Sequence, residues 1–224
     1  MKRQGNLQEI SDGRLYGPND MVRADCGGCE GCSACCTGMG NSVILDPYDG
    51  FRLTSGLRRG FEKLLGSCVE LNLQDGVILP NLMMKGEKEA CVFLTEEGRC
   101  SVHAFRPGVC RLFPLGRYYG EDALPREFRY FLQINECRKE RRSKVKVSKW
   151  IDTPDQKRYD RYVLDWHNYV EKTAEAIRQE RGSEEEVRQK AKDRNLYLLN
   201  RFYFKPYRTE EDFYPQFYER LETL

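Results

Sequence analysis

In the last third of the chain, apolar positions recur at three- and four-residue steps. Tyr159, Tyr162, Val163, Trp166, Tyr169, Val170 and Ile177 predict one long amphipathic helix, opening at a Thr153-Pro154 cap and stopping near Gly182. Ser183-Glu-Glu-Glu186 has the form of a capping box for the next helix, and Thr209-Glu-Glu-Asp212 begins the last. Stripes at this spacing read as packing faces. Upstream the periods are shorter. Asp46-Pro47 predicts a short helix running towards Leu53, because Asp caps and Pro suits the first helical position. Leu57, Phe61, Leu64 and Leu65 predict another over 57–65, ended by Gly66. From Cys68 the pattern alternates, and Asp75-Gly76 between apolar runs predicts a hairpin. A further short strand is expected over 90–94, closed by the polar turn Thr95-Glu-Glu-Gly98.

These elements imply an α+β fold: a loop-rich cysteine core with a small antiparallel sheet and short helices, packed by two or three C-terminal helices. The expected division is an N-terminal extension over 1–25, the core over 26–137 and a helical extension over 138–224, joined as one continuous unit. Lys and Arg number 37 against 35 Asp and Glu, a formal +2, so specific nucleic-acid binding is not expected. The basic run 138–149 lacks interleaved aromatics and reads as a solvated linker or helix face. The alternative is a docking strip for an acidic partner. Neither a signal peptide nor a membrane span is apparent, and the expected location is the cytoplasm.

That compartment changes the meaning of the ten cysteines. In a reducing environment they argue for metal ligation or redox chemistry over a disulfide framework. Residues 26–36 read Cys-Gly-Gly-Cys-Glu-Gly-Cys-Ser-Ala-Cys-Cys. Thiolates so crowded repel one another unless a metal takes up their charge. Steps of Cys-x2-Cys let a turn bring both sulfurs to one centre, as in zinc knuckles and bacterial ferredoxins. A second group is Cys91, Cys100, His103 and Cys110, and Cys137 follows. His103 suits a hydrogen bond to sulfur better than direct ligation, and a third role is to cap the Arg106-Pro107 turn. Arg99, Arg106, Arg111 and Arg117 surround this group, where guanidinium groups would offset thiolate charge or pair with carboxylates. Glu30 reads as a spacer, His167 as a helix-face residue, and Cys68 as a buried free thiol acting as a small hydrophobe. Cys26 can be read as ligand or bystander.

The Cys-x2-Cys-x2-Cys-Cys string, followed by Cys91 and by Gly98-x-Cys100-x2-His103-x2-Arg106-Pro107-x2-Cys110-Arg111-x2-Pro114, closely resembles the bacterial and archaeal CxxCxxCC cysteine-cluster family, also called YkgJ-like, over residues 26–137. The resemblance implies a zinc- or iron-chelating domain whose eight cysteines are Cys29, Cys32, Cys35, Cys36, Cys91, Cys100, Cys110 and Cys137; by charge and position, Arg106, Arg111 and His103 are the residues expected to line the centre. An iron–sulfur cluster is the preferred expectation, with zinc or iron ions the alternative. The family includes chains similar to flagellin lysine N-methylases, which implies an alternative: S-adenosylmethionine-dependent methylation of a protein substrate. This sequence lacks the Cys-x3-Cys-x2-Cys loop of radical S-adenosylmethionine enzymes. A structural metal module for a protein partner is the third reading.

Overall fold

The computed structural model describes residues 6–27, 32–121, 124–139 and 141–222. In chain order its elements are α1 (Leu7–Ile10), β1 (Ser11–Tyr16), β2 (Met21–Asp25), α2 (Pro47–Leu57), β3 (Val69–Gln74), β4 (Val77–Leu82), β5 (Met84–Lys85), β6 (Ala90–Cys91), α3 (Gly108–Leu112), β7 (Leu115–Tyr118), β8 (Arg129–Gln133), β9 (Ser143–Lys146), α4 (Val147–Ile151), α5 (Gln156–Gln179), α6 (Glu184–Leu199) and α7 (Phe213–Glu222). The fold is α+β, as the periodicities imply. Its sheets are small and antiparallel: β1-β8-β7, β2-β9, β3-β4 and β5-β6.

The Asp-Gly hairpin forms as predicted. Asp75 (φ 51°) and Gly76 (φ 88°) take the left-handed conformations that a two-residue turn requires, and β3 pairs with β4 from Val69↔Leu82 to Gln74↔Val77. Residues 43–45 extend this hairpin along its other edge. Leu45 N–H donates to Pro80 O at 2.8 Å, and Leu82 N–H to Val43 O at 2.9 Å. Helices α5 and α6 lie against β4. Asn195 on α6 fastens them, accepting from Ile78 N–H at 2.6 Å and donating to Gly76 O at 3.1 Å. The core between them is aromatic: Tyr162, Phe202 and Phe217 are fully buried, with the Tyr162 and Phe217 rings 4.7 Å apart and near-perpendicular.

Several expectations are corrected. The helix over 57–65 does not form. Instead α2 runs on through Leu57 and ends at Arg58 in the left-handed region (φ 53°), Gly60 is extended, and only a 3-10 turn follows at Phe61–Lys63. The apolar spacing marked burial there, since Phe61 and Leu64 are both in the core, and two chain breaks override helix propensity. The strand over 90–94 is only β6, because Leu94 turns to bridge Cys100. Helix α5 starts later than the Thr153-Pro154 cap; its N-cap is Asp155, whose side chain accepts from Arg158 N–H at 3.2 Å. The capping box at Ser183 forms as read.

The basic run is neither linker nor one helix face. Its centre is β9, antiparallel to β2 with Met21↔Lys146 and Val22↔Val145 in register, and it continues into α4. Buried Val22, Ala24 and Val147 explain this: the lysines alternate with apolar residues that face the core. Likewise β1 joins β8, with Tyr16↔Tyr130, so the N-terminal segment is stitched into sheets contributed by the middle and later parts of the chain. Among the described residues, no helix is long and apolar enough to cross a membrane.

Candidate metal centre

Three chain segments deliver cysteines to one place, two of them held there by backbone pairing and the third by a side chain. The 3-10 turn Ala34–Cys36 carries Cys35 and Cys36. Thr37 just after it bridges Ala90, and Gly38 N–H donates to Glu89 O at 3.0 Å, which lays the turn beside Cys91 in β6. The loop after β6 folds back: Leu94 bridges Cys100, and Ser101 N–H donates to Phe93 O at 2.8 Å, so Cys100 returns to the level of Cys91. A 3-10 turn at His103–Phe105 then leads into α3, which carries Cys110.

Helix α2 sets the position of α3. Asp46 and Asp49 form a reciprocal capping box, and Asp49 Oδ1 also accepts from Gly108 N–H at 2.7 Å. That bond crosses from one helix start to the other and fixes the backbone two residues before Cys110. Arg52, one turn along α2, donates to Ala104 O at 2.6 Å. Gly56 admits the Phe105 ring so closely that a Cβ there would stand 2.6 Å from it. Burial and the adjoining Asp46 push the Asp49 carboxyl well above the usual aspartate range. Sequence reading missed Asp49 as part of the site; its signal was an acidic residue at the third position after a capping Asp.

Cys35 and Cys36 sulfurs lie 4.0 Å apart. The shared hydrogen bond draws Cys35 down to about 7 and drives Cys36 up. Burial raises Cys91, Cys100 and Cys110, and the charges of Cys35, Cys91, Cys100 and Asp49 raise Cys110 further. These five thiols therefore sense one another's charge. Arg106 is the cation that reaches Cys35 and Cys100 and favours their thiolates.

Together with Cys32, the five line a cavity of about 1040 Å³, which Arg99, His103, Arg106, Arg117 and Trp150 also line. His103 contacts the Arg106 guanidinium through Nε2. Arg111 points elsewhere: it is buried, donates to Ile151 O at 3.2 Å through Nε and to Asp152 O through Nη2, and so holds the end of α4. Cys137 is half-buried just after Glu136, which lines the cavity. Cys26 follows β2 and is half-buried. Cys68 is a buried free thiol, as read. His167 is corrected: it is buried and stacked on Tyr119, ring centroids 3.8 Å apart. Cys29 and Glu30 lie outside the described residues.

Among the described residues, no three Cys, His, Asp or Glu side chains already converge on one ion position, so the cysteines form a neighbourhood and not a closed coordination shell. The donors fit a thiophilic metal by chemistry: soft sulfurs, crowded and partly desolvated, beside a buried Arg106 Nε that has no hydrogen-bond partner and suits a nearby anionic sulfur.

Residues 28–138 match the profile of the CxxCxxCC family, described as a putative zinc- or iron-chelating domain. No curated protein and no solved structure matches the chain. The matched family supports metal binding by this segment.

Proposed function

We propose that the chain is a metal-binding cysteine-cluster protein whose centre is an iron–sulfur cluster, held by ligands drawn from Cys29, Cys32, Cys35, Cys36, Cys91, Cys100, Cys110 and Cys137. One observation carries the proposal: Cys35, Cys36, Cys91, Cys100 and Cys110, from three separate segments, border the same cavity with Arg106 among them. Such a cluster, when bound, supplies electron transfer or Lewis-acid chemistry at its iron. The chain's own residues do the rest. Arg106 offsets thiolate charge, and Asp49 holds the Cys110 segment in place. Iron is preferred to zinc because closely spaced cysteines joined by remote ones resemble cluster ligation more than two paired zinc-ribbon knuckles.

The cavity is larger than an ion or small cluster needs and falls at the upper end of the roughly 300–1,000 Å³ of small-molecule sites. That space favours a centre with room for a reactant over a closed structural module. The test is iron, zinc and acid-labile sulfide analysis with a visible spectrum, on protein purified without oxygen. Iron with matching sulfide supports the proposal; colourless protein with stoichiometric zinc and no sulfide refutes the cluster.

A further inference from the structure

We propose that the outer edge of β3 is where two copies of this chain pair, antiparallel, across a two-fold axis at Asn72. β3 is the open side of its sheet, since Val43 and Leu45 occupy the other edge of β4. The two-residue turn at Asp75-Gly76 makes Gln74↔Val77, Asn72↔Leu79 and Glu70↔Asn81 the hydrogen-bonded pairs of the hairpin, which turns the main chain of Val69, Leu71 and Leu73 outward. Pro80 and Leu82, opposite Leu71 and Val69, obey the same alternation by bonding to Leu45 and Val43. Val69 is already used, donating to Leu64 O at 2.9 Å and accepting from Gly66 N–H at 2.8 Å. Among the described residues, no partner meets the outward N–H and C=O groups of Leu71 and Leu73, and these two residues are 39% and 67% exposed. Natural edge strands are blunted by a Lys, a Pro or a bulge. The pairings of β1 and β2 both carry register shifts, whereas β3, Val-Glu-Leu-Asn-Leu-Gln, has none of these devices.

A second copy fits this edge in one register. Pairing about Asn72 sets Leu71 opposite Leu73 of the other copy, and Leu73 opposite its Leu71, so both open residues enter hydrogen-bonded pairs. A centre at Leu71 would need the Val69 main chain, which is taken; a centre at Leu73 would need Asp75, which has left the strand with φ 51°. The leucines of both copies then fall on one face and cover each other. Charge agrees with this register. Glu70 faces Gln74 of the other copy, and the Glu70 carboxylates stand about 13 Å apart along the strands. Asp75 of one copy comes to the Val69 end of the other, where the positive charges of Arg59 and Lys85 reach Cys68. The two-fold axis uses each edge once, so assembly closes at two copies instead of growing into a fibre. One strand is far smaller than the roughly 20–30 residues a side of a standard interface, so the dimer should be weak, with a Kd of about 10–100 μM.

The test is sedimentation equilibrium of the full chain, kept reduced and without oxygen, from about 5 μM to about 500 μM. The parent is expected to pass from monomer to dimer across that range. Leu73→Lys should stay monomeric with a melting temperature within about 2 °C of the parent. Asn72→Lys and Asn72→Asp should each stay monomeric, because like charges then meet at the two-fold axis. Mixed in equal amounts, they should form a heterodimer at least about tenfold tighter than either variant with itself. A parent that is still monomeric at about 500 μM, leaving the edge to a strand of another protein, overturns the proposal. So does a Leu73→Lys dimer as tight as the parent's, which would place the contact elsewhere. A mixture that gains nothing over its components rejects the Asn72 register. If an Asn72 variant does not fold, Leu73→Lys decides, since its side chain is exposed in the parent.

Discussion

Asp49→Ala tests how the fold holds the centre. Asp49 is 3% exposed and accepts from Gly108 N–H at 2.7 Å and Asp46 N–H at 3.2 Å. Truncation leaves both donors without their acceptor, at about 1–3 kcal/mol for each buried group. Removing a carboxyl that burial disfavours returns part of that cost, so the net loss should be about 2–4 kcal/mol. For a chain of this size that corresponds to a fall in melting temperature of roughly 5–15 °C. The larger loss should be in metal, because the freed Gly108 backbone carries Cys110 with it. Asp49→Asn keeps one acceptor oxygen for Gly108 N–H and should cost less than half as much. Chemical denaturation and metal-to-protein ratio, measured on all three proteins, give the answer. An alanine variant that melts within about 1 °C of the parent and keeps its full metal content would refute the idea that the capping pair positions the site.

Gly56→Ala should destabilise by about 1–3 kcal/mol, reversing the usual gain from removing a helical glycine, because its Cβ would meet Phe105 at 2.6 Å; a higher melting temperature would show that the ring moves aside freely. Cys68→Ala should keep the parent's metal content and lose only about 1 kcal/mol of stability, whereas Cys110→Ala should lose the metal; equal depletion in both would make Cys68 a ligand. Metal affinity should rise with pH. Burial holds the Cys91, Cys100 and Cys110 thiols above their ordinary range, so binding must expel their protons, and acid should reverse it. A competition titration that is flat from about pH 6 to about pH 9 would contradict this. If the centre serves methyl transfer, calorimetry should detect S-adenosylmethionine binding to metal-loaded protein, and none would leave that chemistry without support.

What the sequence by itself determined is local chemistry. Asp75-Gly76 dictates a left-handed turn, and Ser183 with Glu186 dictates a helix start, because each depends on atoms only two or three residues apart. The crowding of Cys26 to Cys36 likewise declared thiophilic chemistry without any fold. Tertiary structure decided which distant residues meet. The approach of Cys36 to Cys91 rests on Thr37 bridging Ala90, the placing of Cys110 on Asp49 reaching Gly108, and the choice of Arg106 over Arg111 as the cation near sulfur on α4 offering its carbonyls to Arg111. None of these has a periodic signature. The basic run 138–149 illustrates the same limit: its charges described its solvent side, while pairing of β9 with β2, set by the burial of a few valines, decided what it became. Periodicity records which positions are buried, and only the packed chain fixes against what.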